Sequence, residues 1–134
     1  MLTGKYRSIE DFDTDGRFIM DTDQGRRYRQ RYFRAIYFEA IQLLEQAGKL
    51  HSISLAELSM RWLLYHSQLR TGEHPKPGRD GVLIGISSFD HLQKNLESLK
   101  NGPLPPEIVE AAEQSWQLVK ANCPNYWHGE LSYS

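Results

Sequence analysis

Residues 81–96, Gly81-Val-Leu-Ile-Gly-Ile-Ser-Ser-Phe-Asp-His-Leu-Gln-Lys-Asn-Leu96, constrain the fold more than any other stretch. Val82 to Ile86 is apolar and mostly β-branched, with Gly85 inside it. That pattern predicts a strand buried on both faces, as in a parallel sheet. Ser87 and Ser88 follow at once, and Asp90 lies three residues after Ser87, a capping-box-like helix start. A parallel strand needs parallel neighbours joined through long crossovers. No other segment reads as a convincing buried strand, and the remaining apolar segments read mostly as helices. The expectation is an α/β chain that forms part of a larger fold, mostly helical, with one clear strand at about 82–86.

The same junction carries chemistry. A serine-rich helix N-terminus at the end of a parallel strand offers free backbone N–H groups and a positive dipole end to a phosphate. It is also what a capped strand-to-helix turn without any ligand looks like.

At 134 residues the chain suits one domain, 1–134, able to bury a core. Lys and Arg number 16 against 17 Asp and Glu, so no global field argues for nucleic acid or an acidic substrate. Cys123 is the single cysteine, which excludes an intrachain disulfide framework and fits a reducing compartment. No run approaches the ~20 apolar residues of a membrane span, and Met1 to Tyr6 has no signal-peptide character. A soluble, cytoplasmic protein without nucleic-acid or membrane partners is expected.

Residues 1–26 are polar and irregular, with acids at Glu10, Asp11, Asp13, Asp15, Asp21 and Asp23, and read as a surface loop. From Tyr28 to Ala47 the apolar spacing is helical, and Gly48 reads as its C-cap. Ser54 with Glu57 opens a second helix bearing Leu55, Leu58, Trp62, Leu63 and Tyr65. Residues 71–80 are a Gly- and Pro-containing loop. The helix after Ser88 runs to about Lys100, where Asn101-Gly102-Pro103 stops it. Pro105 and Pro106 open a last helix, Glu107 to Asn122, and a tail begins at Cys123-Pro124-Asn125-Tyr126-Trp127.

Other motifs carry less. Asp11, Asp13, Asp15 and Gly16 have the opening spacing of an EF-hand loop, but Thr22 stands where a bidentate Glu is required. Arg26, Arg27, Arg29, Arg31 and Arg34 are clustered without a nucleic-acid motif. At a helix start they oppose the dipole, so one or two of them are expected to meet a local anion. His51, His66, His74, His91 and His128 lack metal-site spacing, and Cys123 has no partner for one.

Four places carry a family resemblance. Leu2-Thr3-Gly4-Lys5-Tyr6, then Arg61-Trp62 with Tyr65-His66-Ser67-Gln68-Leu69, then Ile84-Gly85-Ile86-Ser87-Ser88 ending in Asn95-Leu96, and finally Gly102-Pro103-Leu104 with Cys123-Pro124-Asn125-Tyr126 occur in this order. Together they resemble the C-terminal part of an aldo-keto reductase, in the aflatoxin-aldehyde reductase branch, over roughly residues 1 to 128. The motifs are specific together and weak singly.

That resemblance implies the C-terminal portion of a (β/α)8 TIM barrel in which 82–86 is the eighth strand. It implies an enzyme that uses NADPH to reduce a small-molecule carbonyl substrate, an aldehyde or ketone. Leu2, Thr3, Gly4 and Lys5 match the loop over the cofactor pyrophosphate, and Arg17 matches an arginine of that region. Ser87, Ser88, His91 and Asn95 match the segment that holds the adenosine 2′-phosphate and adenine. Arg31 matches an arginine that reaches the substrate, and His128 stands where relatives end in Arg. His91 departs from the Gln or Arg of relatives, and a neutral His is a poorer phosphate partner than Arg. The family's catalytic Tyr, Lys, Asp and His come from earlier strands, and no segment here matches them.

Three readings follow: a partial reductase inactive alone, one half of a split barrel needing a partner chain, or a noncatalytic binding or assembly module. A chain carrying only this part is expected to leave apolar faces uncovered and to self-associate or meet the missing N-terminal barrel half.

Overall fold

The computed structural model describes residues 2–12, 14, 16–72 and 78–123. The predicted tail from Pro124 to Trp127, His74, His128, and two of the EF-hand-like acids, Asp13 and Asp15, lie outside the described residues.

Among the described residues five α-helices dominate: α1 Asp23–Tyr32, α2 Ala35–Leu50, α3 Leu55–Tyr65, α4 Phe89–Lys100 and α5 Pro106–Val119, the last followed by a short 3-10 turn, Lys120–Asn122. Two-residue strands, β1 Thr71–Gly72 and β2 Gly78–Arg79, pair antiparallel with Thr71 opposite Arg79. No described helix is long and apolar enough to cross a membrane.

The core forms where α2, α3 and α5 meet. Phe38, Ile41 and Leu44 of α2, Leu55 and Leu58 of α3, and Ile108 of α5 are buried together with Tyr6 and Leu104. The i, i+3, i+6 spacing of the α2 residues puts one stripe of that helix inward. Ile108 is fully enclosed. Beside it, the buried Ser115 hydroxyl donates to the Ala40 carbonyl at 3.1 Å, which lets α5 lie close on α2.

The helix expected over Tyr28–Ala47 is two helices. Phe33 (φ −90°, ψ 77°) and Arg34 (φ −125°, ψ 140°) leave helical geometry between α1 and α2. The break turns Phe33 into an aromatic cluster, 5.2 Å from Tyr6, 5.1 Å from Phe18 and 5.5 Å from Phe38 by ring centroids. Such pairs add to the burial of large rings. Part of the expected surface loop over residues 1–26 is also ordered. Thr22 caps α1, its hydroxyl accepting from the Gly25 N–H at 3.0 Å. Position 25 must be glycine, because a Cβ there would lie 1.7 Å from the Ile19 carbonyl oxygen.

Gly48 does not serve as the cap. It sits in the last turn of α2, where a Cβ would come within 2.5 Å of the Ile53 carbonyl oxygen. The left-handed position of the reversal is taken instead by Ser52, at φ 56°. Ser54 then caps α3 as expected, accepting from the Glu57 N–H at 3.2 Å.

The expected strand at 82–86 is not formed. Residues 81–86 belong to no element, Leu83 is wholly exposed, Ile86 is about half exposed, and a Cβ added at Gly81 or Gly85 would meet nothing within 4 Å. The reason is physical: a parallel strand gains its hydrogen bonds only from neighbours on the same sheet, and the described residues place none beside it.

Candidate functional site

The chemistry singled out in the sequence centres on the first turn of α4. Ser88 is its N-cap, and its hydroxyl accepts from the His91 N–H at 3.2 Å. The cap is therefore Ser88 with His91, not Ser87 with Asp90. Ser87 instead places its Oγ 2.9 Å from His91 Nδ1. Ser87, Ser88 and His91 are exposed, and Asn95, one turn on, is half-buried. The first N–H groups of any helix lack intrahelical acceptors and face outward with the positive dipole end. An anion can approach here without displacing core packing, although Asp90 in the same turn opposes it.

The second group of predicted residues lies on another part of the molecule. Leu2, Thr3 and Lys5 are exposed, and Gly4 turns the chain at φ 73°, a left-handed geometry that favours glycine. A cavity of about 280 Å³ lies between Thr3, Gly4 and Arg7 on one side and Glu45, Lys49 and Ser54 on the other. Arg7 is not free in it, since its guanidinium meets Glu45 at 2.7 Å. A second hollow of about 380 Å³ is lined by Lys5, Tyr6, Glu10, Asp11 and Phe12. Residues 87–95 line neither of these two cavities.

Arg17 is exposed beside Phe18. Phe18 stacks edge-on against Tyr28 at 5.7 Å and faces Tyr32 at 6.5 Å. Arg31 lies 5.7 Å from the Tyr32 ring at the edge of this aromatic cluster. His128, the other predicted substrate contact, is outside the described residues.

The arginine cluster resolves mainly into structural roles. Arg26 pairs with Asp23 at 2.5 Å. Arg29 spans the carbonyls of Asp11 (2.7 Å) and Ile9 (2.9 Å) and stacks 3.9 Å over Phe33. Arg34 donates to the Asn122 carbonyl at 3.1 Å. Among the described contacts Arg26 thus meets an acid, while Arg29 and Arg34 tie loops down through backbone oxygens.

Asp11 is likewise committed. Its carboxylate accepts the Arg7 N–H at 2.5 Å and the Ser8 N–H at 3.1 Å. These bonds, the Arg7 one first, hold its carboxyl below the usual carboxylate range. Closing a local turn leaves it poorly placed for a cation, and no group of three or more metal-ligating side chains occurs among the described residues.

The residues missed in the sequence sit around the connector from α4 to α5. Arg61 is 5% exposed and meets Glu57 at 2.8 Å. It also donates to the carbonyls of Gly102 (2.8 Å), Asn101 (3.3 Å) and Pro103 (2.8 Å). The available signal was the Glu57–Arg61 pair at i, i+4. His66 accepts the Leu104 N–H on Nε2 at 2.9 Å. Burial, and secondarily the Arg61 charge, push its imidazole pKa down. Tyr37 donates its phenol to the Asn122 carbonyl at 2.8 Å, and burial pushes its pKa up. A phenol so engaged is not poised to give up a proton.

Comparison with known proteins gives one consistent result. The model of the Aldo/keto reductase family matches residues 1–117. Aflatoxin B1 aldehyde reductase member 2 of Rattus norvegicus is 39% identical across 95% of this chain and 35% of its own length. Aldo-keto reductase family 7 member A3 of Homo sapiens is also 39% identical, over 95% of this chain and 38% of its own. Aldo-keto reductase pigE of Monascus ruber is 31% identical over 95% of this chain and 36% of its own. The chain thus spans little more than a third of the length of these relatives.

Proposed function

Because the chain belongs to the aldo/keto reductase family, we propose that it is the C-terminal portion of a (β/α)8-barrel oxidoreductase that contributes the adenosine-phosphate half of an NADPH site. The enzyme it serves would be cytoplasmic and would reduce aldehydes or ketones to alcohols. The aldehyde class is taken from the names of the relatives.

The observation that carries the reading is the first turn of α4, where exposed Ser87, Ser88 and His91 surround a helix N-terminus. Hydroxyls and outward N–H groups are the donor set a phosphate monoester needs. Ser88 keeps the helix end in register through its bond to the His91 N–H. The Ser87–His91 contact sets the ring's orientation, and Asn95 lies one turn further along the same helix. Lys5, next to the left-handed turn at Gly4, would add a cation over the pyrophosphate. Arg31 and His128 would supply part of the substrate wall. When bound, the dinucleotide supplies hydride to the carbonyl carbon.

No proton donor for the carbonyl oxygen is identified among the described residues, so the chain alone is proposed to be inactive. The part carrying the earlier barrel strands, in the same or a separate polypeptide, would bring that group. It would also cover Leu83, Ile86 and Phe89, which are exposed here.

The test is a titration of the purified chain with NADPH, followed by tryptophan fluorescence and melting temperature, with NADH as control. Saturable binding that prefers NADPH supports the reading. A folded chain that binds neither nucleotide overturns it and favours a noncatalytic assembly module.

A further inference from the structure

None of the residues of α4 is fully buried. Its attachment to α3 therefore rests heavily on polar bonds at its C-terminal end. The Tyr65 hydroxyl donates to the Leu99 carbonyl at 2.9 Å. Arg61 gathers the carbonyls of Asn101, Gly102 and Pro103. Asn101 Nδ2 donates to Glu57 at 2.9 Å. The last bond is the Leu104 N–H to His66 Nε2, at 2.9 Å, beside a Leu104 side chain sealed in the core.

That last bond differs from the others because its acceptor is an imidazole, whose ordinary pKa of 6.5 lies well above the ordinary carboxylate range of an acceptor such as Glu57 and close to neutral pH. To accept an N–H, Nε2 must keep its lone pair, so the neutral ring carries its proton on Nδ1. A second proton would enter at Nε2 and set one N–H against another. We propose that His66 is a proton-operated latch on the α4–α5 connector: neutral, it holds the connector and α4 on α3, and protonated, it lets go.

The electrostatic surroundings favour this. On α3 the charged groups are Arg61 and Glu57, already paired with each other. The connector, Asn101 to Pro105, has no charged side chain. The charges that flank it, Lys100 on α4 and Glu107 on α5, are exposed, and Glu107 lies 3.9 Å from His51. Among the described residues no carboxylate, Asp80 and the α4 acids Asp90 and Glu97 included, makes a hydrogen bond or ion pair with His66, and burial and the Arg61 charge both oppose an imidazolium.

The sign follows from linkage. The folded pKa of His66 lies below its ordinary 6.5, so the opened state binds the proton more readily. The latch is complete above that ordinary value, weakens as pH falls below it, and levels off beneath the depressed folded value.

The test compares amide-exchange protection factors in the full chain at about pH 7.5 and about pH 5, where linkage to a group of pKa 6.5 caps the loss at about 30-fold. The expected result is a several-fold loss of protection at Leu104 and along α4, with α2 and α5 unchanged. His66→Gln keeps an acceptor that does not titrate, and its α4 protection is expected to be independent of pH over this range. A wild-type ring titration by NMR gives a second readout, with a midpoint below 6.5 expected. Unchanged Leu104 and α4 protection in the wild type, the same loss in His66→Gln, or a ring midpoint at or above 6.5 would each overturn the proposal.

Discussion

Replacing Arg61 by Met tests whether the α4–α5 connector is held by one buried side chain. The substitution keeps the volume of the aliphatic stem and removes the guanidinium. Three carbonyls, those of Asn101, Gly102 and Pro103, then lose a charged donor. Glu57 loses its 2.8 Å partner while it remains largely buried, with Asn101 Nδ2 as its remaining donor. Breaking a buried pair by removing one partner costs about 3–5 kcal/mol. Hydrogen bonds to a charged group are worth about 1.5–3 kcal/mol each, but they share one side chain and do not add. The expected loss is therefore about 3–5 kcal/mol, a large share of the ~5–15 kcal/mol that stabilises a typical domain. Urea unfolding followed by tryptophan fluorescence measures it, since Trp62 lies next to Arg61 in the chain. Arg61→Lys should fall between wild type and Met, because an ammonium cannot span three carbonyls. The double variant Glu57→Gln, Arg61→Met should recover part of the loss by removing the stranded carboxylate. A loss under about 1 kcal/mol in Arg61→Met would place the pair in the class of solvated surface bridges and refute the reasoning.

Ile108→Ala empties the centre of the core and should destabilise by about 2–5 kcal/mol, read as a lowered urea midpoint with unchanged slope. Gly25→Ala forces a Cβ to within 1.7 Å of the Ile19 carbonyl oxygen, so it should undock α1 from the 19–22 turn and erase amide protection there; near-native protection would show that the turn yields freely. The depressed folded pKa of Asp11 means that its turn is complete above the unfolded value of 3.8 and is lost as pH falls through the folded one, an acid limb that Asp11→Asn should flatten. The purified chain should bind an apolar dye and self-associate through Leu83, Ile86 and Phe89, and Leu83→Ser with Phe89→Ser should reduce both; a dye-silent monomer would contradict that.

Local rules carried much of this molecule. Ser54 and Ser88 cap their helices because a short hydroxyl side chain satisfies an orphan N–H wherever the next residues are helical. The inward stripe of α2 and the Pro-led start of α5 are equally local. The family was legible as well, in four short motifs that keep their order. Contacts between distant residues decided the rest. The break at Phe33–Arg34 has no breaker residue to announce it, and it exists because Phe33 packs against Tyr6 and Phe18. Arg61 and His66 lay within a recognised motif, yet their roles depend on a connector some 40 residues away in sequence. The clearest division is at 82–86. Its apolar, β-branched residues state a preference for a buried strand, and sequence alone determines that preference. Whether it is realised depends on partners with matching hydrogen-bond edges, and among the described residues none lies alongside, so Leu83 faces solvent.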